Sequence, residues 1–383
     1  MSERRDILAL RAQTGSQPAV LVTLAAVSGS SYRRPGARLL LLADGRRAGT
    51  ISGGCLEAEI ARTAQWHTSQ GAALRRYSTQ FDDPDDIPFG LGCGGTLDLL
   101  FEPVHSPEAA ALLDALAATL DGHSRTVITR LPADSTPLAR LVLDASGNTL
   151  FASATLSPAE IATLSSAANT PSPEQGSGLF IEHLHPPQRL ILFGAGDDAQ
   201  PLAQMAALLG WSVIVADGRS HLAQPARFPT AQVVALNDSL DITPLALTPA
   251  DAVVLLTHSY AQDCALLPPL LTLAPRYLAL LGSRRRAALL LSQAAATLGR
   301  SMDELAPLLH APAGLDLGND SPASVALAIL AEAHARCHSA SAEPLRLSAA
   351  QLWQYLEDAI REGTPPLVCA LDSPLAPAAG VKP

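Results

Sequence analysis

Between Arg189 and Asp217 the chain reads RLILF, GAGDDA, QPLAQMAALLG and WSVIVAD: an apolar run, a glycine turn, an amphipathic stretch closed by Gly210, and a second apolar run. Strand, turn, helix and strand in that order leave few folds open, because a right-handed crossover must lay the helix on a sheet buried on both faces. Three further short apolar runs follow, AQVVAL, DAVVLL and RYLALLG, with helical patterns between some of them. The region is therefore predicted as a Rossmann-like doubly wound parallel sheet. Its turn is G-x-G-x-x-A. Gly194 and Gly196 allow a tight turn and close approach to the helix N-terminus, and Asp217 ends the next strand where an acid accepts ribose hydroxyls. Asp197 and Asp198 in the first helical turn suit the helix dipole but would repel a pyrophosphate there. The pattern thus supports the fold more strongly than dinucleotide binding. In LGSRRR, Ser283 and Arg284 to Arg286 stand where a strand runs into a helix, an arrangement that suits an anion as well as a solvated first turn.

The region before this sheet has a different grammar. AVLVTLAAV (19–27) is predicted as a buried strand, ARLLLLADGRRAGTIS as a hairpin turning at ADGR, and Cys55 to His67 as a helix with Leu56, Ile60 and Ala64 on one face. TLDLLFEP is a further strand, and SPEAAALLDALAATL a helix with a serine cap and proline in its first turn. Pro35 to Gly45 and Pro137 to Gly147 share Pro, Ala, Arg, Leu and the turn glycine in register, which fits a duplication or simply two similar hairpins. In 383 residues the organisation expected is an N-terminal α+β domain (1–104), a helix, second hairpin and linker (105–187), the Rossmann-like domain (188–340), and an extension of one helix and a disordered tail (341–383).

Two cysteines stand in bare backbone. Cys55 follows Gly53 and Gly54 at a predicted helix N-terminus, where unpaired N–H groups favour a thiolate, although the nearby Glu57 opposes that charge. Cys93 is bracketed by Gly92, Gly94 and Gly95. Arg33, Arg34, Arg38, Arg46 and Arg47 surround the first hairpin and could hold an anion, though strand alternation puts most of them in water. His183 with His185, and His334 with Cys337 and His338, have some metal-ligand spacing but lack further ligands in sequence.

Composition removes several classes. The net charge of −10 argues against a general nucleic-acid or anionic-membrane binder. Five cysteines with no C-x-x-C pair argue against a disulfide framework or a four-cysteine zinc site. Lys382 is the only lysine, so a Walker A loop, a Schiff-base lysine and the Tyr-x-x-x-Lys pair are all excluded. No run approaches the ~18 apolar residues of a membrane span, and the chain reads as soluble and cytoplasmic.

In order along the chain, SYRRPGARLLLLADGRRAGTISGGCLEAEI, GLGCGGTLDLLFEP, RLILFGAGDDAQPLA, VIVADGR, THSYAQD, LLGSRRR and HAPAGLDLGNDSPASVALAILAE resemble the XdhC/CoxI family, over roughly Ala19 to Ala335. The resemblance implies a factor that binds the molybdenum cofactor and protects it during sulfuration by a cysteine desulfurase. It then delivers the cofactor to a xanthine dehydrogenase-like molybdenum hydroxylase, and a homodimer is expected. By resemblance, Gly53, Gly54, Cys55, Glu57, Cys93, Gly94 and Gly95 are cofactor-site residues, with Cys55 and Cys93 as ligands to the metal. Gly194, Gly196, Asp217, His258, Asp263, Ser283, Arg284, Asp316 and Gly318 are the matching positions of the Rossmann half. The family commonly has histidine where this chain has Asp197. Two alternatives stand beside this reading. One is an NAD(P)-dependent oxidoreductase using Gly194, Gly196 and Asp217 with His258 and Asp263 for proton transfer. The other is a thiol redox protein using Cys55 and Cys93.

Overall fold

A computed structural model describes residues 3–54, 56–78, 95–133, 136–168, 178–237, 240–318 and 321–361. The chain divides into two units, Met1–Ala342 and Glu343–Pro383.

The first part of the larger unit contains one motif twice. The first copy runs α1 (Glu3–Arg11), β1 (Ala19–Ser28), β2 (Arg38–Leu42), β3 (Arg47–Gly49), α2 (Glu57–His67), β4 (Ala73–Ser78) and β5 (Thr96–Pro103). The second runs α3 (Pro107–Leu120), β6 (Arg125–Arg130), β7 (Ala139–Leu143), β8 (Thr149–Ala152), α4 (Pro158–Ala167) and β9 (Leu179–Leu184). The sheets follow suit, with orders β3-β2-β1-β5-β4 and β8-β7-β6-β9. Register makes the equivalence residue by residue. Thr23 faces Arg38 and Leu21 faces Glu102 in one sheet; Thr129 faces Arg140 and Val127 faces Glu182 in the other. The echo between Pro35–Gly45 and Pro137–Gly147 is therefore a structural repeat. The two hairpins occupy the same place in two copies of one motif.

The copies share a core. Ile7 and Leu10 of α1 and Leu112, Leu113 and Leu116 of α3 pack with Leu21 and Leu40 of one sheet and Val127 and Val142 of the other. The opposite faces are covered separately, the first sheet by Ile60 and Ala64 of α2 and the second by Leu164 of α4. Burial on both faces explains why AVLVTLAAVS is apolar without alternation. Two buried ion pairs cross between the copies: Arg38 with Glu182, and Arg140 with Glu102. Each joins an arginine of one sheet to the glutamate of the other.

From Arg189 the fold is the predicted parallel sheet. Its strands are β10 (Arg189–Phe193), β11 (Ser212–Asp217), β12 (Gln232–Ala235), β13 (Ala252–Leu255) and β14 (Tyr277–Leu280), in the order β12-β11-β10-β13-β14. Helices α5 (Ala199–Leu208), α6 (Tyr260–Leu273), α7 (Arg284–Leu298), α8 (Met302–Leu305) and α9 (Pro322–Cys337) complete it. Residues of α5 and α9 join the core on one face, and residues of α6 and α7 join it on the other. The strand order reverses between β10 and β13, which makes their C-terminal ends the crevice where such sheets take ligands.

The smaller unit carries α10 (Ala349–Arg361), on which Leu352, Trp353, Tyr355 and Leu356 are exposed. Among the described residues no helix is long and apolar enough to cross a membrane.

Candidate functional site

The segment leading to Cys55 is built around one carboxylate. Glu57, the first residue of α2 and 2% exposed, accepts at Oε1 from the Thr50 hydroxyl (2.6 Å) and the N–H groups of Ile51 (2.9 Å) and Ser52 (2.8 Å). Its Oε2 accepts from the Ser52 hydroxyl (2.7 Å) and the Gly54 N–H (2.9 Å). Helix α2 has no side-chain cap at Leu56, so Glu57 organises the turn from inside the helix. Burial raises the Glu57 carboxyl, but the hydroxyls of Thr50 and Ser52 and the N–H groups of Ser52 and Ile51 outweigh it and hold it at about 2. Successive N–H groups converging on an anion form a nest, here filled by the chain's own side chain. Glu57 therefore lies beneath the glycine loop and shapes it.

Above that carboxylate, Gly53 and Gly54 are exposed and left-handed, with φ 83° and 123°. A β-carbon on Gly53 would stand 3.0 Å from the ring of Tyr32, which is 74% exposed. A β-carbon on Gly95 would stand 2.1 Å from the Ser30 carbonyl oxygen, so only glycine allows that backbone contact. The neighbours of the two predicted thiols thus meet one loop, Gly53 at Tyr32 and Gly95 at Ser30. Cys55, Cys93 and Gly94 lie outside the described residues.

The arginines of the first hairpin divide. Arg33 pairs with Glu3, Arg46 with Asp44, and Arg38 with Glu182, the last buried rather than in water as alternation suggests. Arg34 and Arg47 are exposed. Arg38 faces inward because the sheet is covered on both sides.

In the Rossmann half, the glycine turn is pinned from several directions. Gly194 has φ 126°, and a β-carbon there would stand 2.3 Å from the Leu256 carbonyl oxygen, so β10 and β13 close tightly. Asp217 is 3% exposed and accepts from the Ala195 N–H (2.7 Å), while Arg219 forks onto both its oxygens (3.0 and 2.7 Å). Burial opposes its charge, yet the Arg219 bonds and the Ala195 N–H keep its carboxyl below the usual range. The residue expected to accept ribose hydroxyls is thereby engaged within the protein. Asp263, 1% exposed, accepts from the Thr257 hydroxyl and from Arg286, both at 2.6 Å. Ser283 caps α7 by accepting from the Arg286 N–H at 3.2 Å. Arg284 and Arg285 are exposed on the same edge.

His258 stands at the crevice itself. Its backbone is left-handed (φ 58°), its imidazole is 61% exposed, and Nε2 lies 2.8 Å from Oδ2 of Asp198. Gly196 makes room for that aspartate, since a β-carbon there would stand 2.7 Å from Asp198 Oδ1. Asp197, in the place of the family's histidine, bonds Arg227 at 2.7 Å. Asp316 and Gly318 are exposed in the loop between α8 and α9. That loop is anchored by Glu332 of α9, which bonds His310 Nδ1 (2.8 Å), the Tyr277 hydroxyl (2.6 Å) and the Gly314 N–H (2.9 Å).

Asp198, Arg219, Arg227, His310, Tyr277 and Glu332 were not legible as functional in the sequence. Apart from Arg219, which engages Asp217 two residues before it, each acts through a partner distant in sequence, and no local spacing reports that. The paired histidines give no metal centre: His183 meets Thr126, the rings of His334 and His338 lie 4.1 Å apart, and no group of three His, Cys, Asp or Glu able to hold a metal occurs among the described residues.

Comparison with known proteins fixes the family. Residues 12–78 match the XdhC and CoxI family, and residues 190–333 match the XdhC Rossmann domain. A Bacillus subtilis protein described as a probable subunit of xanthine dehydrogenase is 30% identical over 319 residues, covering 82% of this chain and 92% of that protein. The chain belongs to the XdhC and CoxI family. Among other XdhC-type relatives, the "Molybdenum cofactor insertion chaperone PaoD" of Escherichia coli is 27% identical over 339 residues, 88% of this chain and 90% of its own length. A solved structure from Bacillus halodurans, described as a xanthine dehydrogenase, superposes with a TM-score of 0.74 at 27% identity, covering 93% of this chain and all of the other. The XdhC match accounts for both halves. The glycine loop up to Gly54 falls within the first matched segment, and the crevice of His258 and Asp198 within the second.

Proposed function

We propose that this XdhC-family chain is a molybdenum-cofactor maturation chaperone rather than an enzyme. It holds the cofactor as cargo, shields it while a cysteine desulfurase supplies sulfur, and delivers it in the cytoplasm to a xanthine dehydrogenase-like molybdenum hydroxylase. A homodimer is the working form. The observation that carries the reading is the carboxylate-organised glycine loop before Cys55, in a chain similar over 88% of its length to a cofactor insertion chaperone.

The residues present fit such a guest. Cysteine thiolates are soft donors suited to molybdenum or its sulfur. Gly53 and Gly54 expose bare backbone beside the exposed face of Tyr32, which suits a broad planar ring system. When bound, the cofactor brings the metal and dithiolene chemistry of the client enzyme. The chain's own residues only hold and orient it: Glu57 fixes the loop, and the thiols of Cys55 and Cys93 contact the guest. An NAD(P) role draws no support from Asp217, whose carboxylate is engaged by Ala195 and Arg219.

The test is retention. The full chain is isolated from cells that make the cofactor, and molybdenum and pterin are measured per chain. Near-stoichiometric retention that falls with Cys55→Ala or Cys93→Ala supports the reading. Retention indifferent to both substitutions removes the thiols from it.

A further inference from the structure

Around the Rossmann crevice four aspartates each meet one cation. Asp197 pairs with Arg227 (2.7 Å), Asp217 with Arg219 (2.7 Å), Asp263 with Arg286 (2.6 Å) and Asp198 with His258 (2.8 Å). Three of those cations are guanidinium groups, which stay charged throughout the physiological range. The fourth is an imidazole, the side-chain type that gains or loses its charge between about pH 5 and 8. One compensation in four can therefore be switched off.

Its position matters more than its count. Asp198 opens α5 and His258 follows β13, so the pair spans the point where the strand order reverses. The left-handed backbone at His258 (φ 58°) is strained for any residue but glycine and aims the ring over Gly196. Asp198 engages Nε2, and Nδ1 bonds to none of the described residues. The Oδ1 atom of Asp198 is buried without a hydrogen-bond partner. The other charged groups at this end of the sheet are Arg219, whose field reaches Asp198, the Asp197–Arg227 pair beside it in sequence, and the Asp263–Arg286 pair of α6 and α7, with Arg286 over the Tyr260 ring at 5.7 Å. Arg284 and Arg285 on the same edge are exposed and form no ion pair among the described residues.

We propose that this crevice binds a phosphate-class dianion together with a proton, which is taken up on His258. With the imidazole neutral, Asp198 leaves an uncompensated negative charge in the crevice and repels the ligand. With the imidazolium formed, all four pairs are neutral, Nδ1–H is a free donor, and Arg284 and Arg285 provide the net attraction. The identification of the natural ligand as the phosphate-bearing cofactor rests on the function proposed above; the charge arrangement does not.

Calorimetric titration of the full chain with sulfate, which remains a dianion from about pH 5.5 to 8.5, tests this directly. The expected affinity falls about tenfold or more across that range. Titrations in buffers of different ionisation enthalpy show net proton uptake with the anion. His258→Gln binds weakly with no pH slope, and His258→Arg binds at every pH. Asp198→Asn relieves the repulsion of the neutral-imidazole state, binds more tightly than the unaltered chain above about pH 7, and serves as a second variant should either histidine change unfold the chain. Absence of binding by the wild-type chain, binding without a pH slope, or a slope that survives in His258→Gln overturns the proposal. Cys55→Ala leaves all of this unchanged while removing cofactor retention, so the two readings fail separately.

Discussion

Arg140 and Glu102 stand 2.8 Å apart at Nη1 and Oε1, with side chains 1% and 0% exposed, and they belong to different copies of the repeated motif. Arg140 also donates to the Thr129 hydroxyl and the Glu108 carbonyl, so its charge is fully met inside the protein. Removing one partner leaves the other charged and buried, which costs about 3–5 kcal/mol. Arg140→Leu or Glu102→Leu alone is expected to lower the urea midpoint sharply, whereas the double substitution recovers much of the loss. A double-mutant cycle on unfolding free energy measures it.

Glu57 predicts a pH effect of definite sign. Its carboxyl is held at about 2 in the fold against 4.5 for a free group, so the stability it contributes is present above about pH 4.5 and lost as pH falls toward 2. Glu57→Gln keeps the shape but not the charge-assisted bonds, costing on the order of 2 kcal/mol at neutral pH and progressively less in acid. Melting temperature against pH for both chains should converge near pH 2. Cofactor retention should fall in the variant although neither thiol is touched.

Glu332 anchors the loop that bears Asp316 and Gly318. Burial opposes its charge, and His310, Tyr277 and the Gly314 N–H hold its carboxyl at about 2. Glu332→Ala leaves the Tyr277 hydroxyl, the His310 ring and the Gly314 N–H without that acceptor, at about 1–3 kcal/mol. Amide exchange across 313–318 should accelerate more than across β10 or β11.

Gly194→Ala places a methyl 2.3 Å from the Leu256 carbonyl oxygen at φ 126°, two penalties at one site. Gly122→Ala, at φ 89° with open space around it, meets only the backbone strain. The first should cost more than about 2 kcal/mol and the second about 1 kcal/mol, a difference that thermal unfolding resolves.

The Rossmann half was legible almost element by element, because strand, glycine turn and helix announce themselves locally: RLILF is β10, Gly194 turns the chain out of it, and Gly210 follows α5. The first hairpin, α2 and α3 were equally clear from Ser106, Pro107 and the Leu56–Ile60–Ala64 face. What sequence could not show was contact between distant segments. Arg38 looked like a solvated strand residue because the second sheet that supplies Glu182 begins some ninety positions later. Asp217 had the right place for a ribose acid, but Arg219 two residues on engages it. Glu57 is a guest-binding residue by resemblance, and the folded loop adds the N–H groups and hydroxyls that its carboxylate gathers.

The crossed arginine–glutamate braces also bear on how the first half comes apart. Each copy contains one arginine and one glutamate whose counter-ions sit in the other copy. A fragment ending near residue 104 would strand Arg38 and Glu102 together in an apolar interior with neither mate present. The repeat is thus interlocked, and it is expected to unfold as one cooperative body instead of shedding its halves in turn.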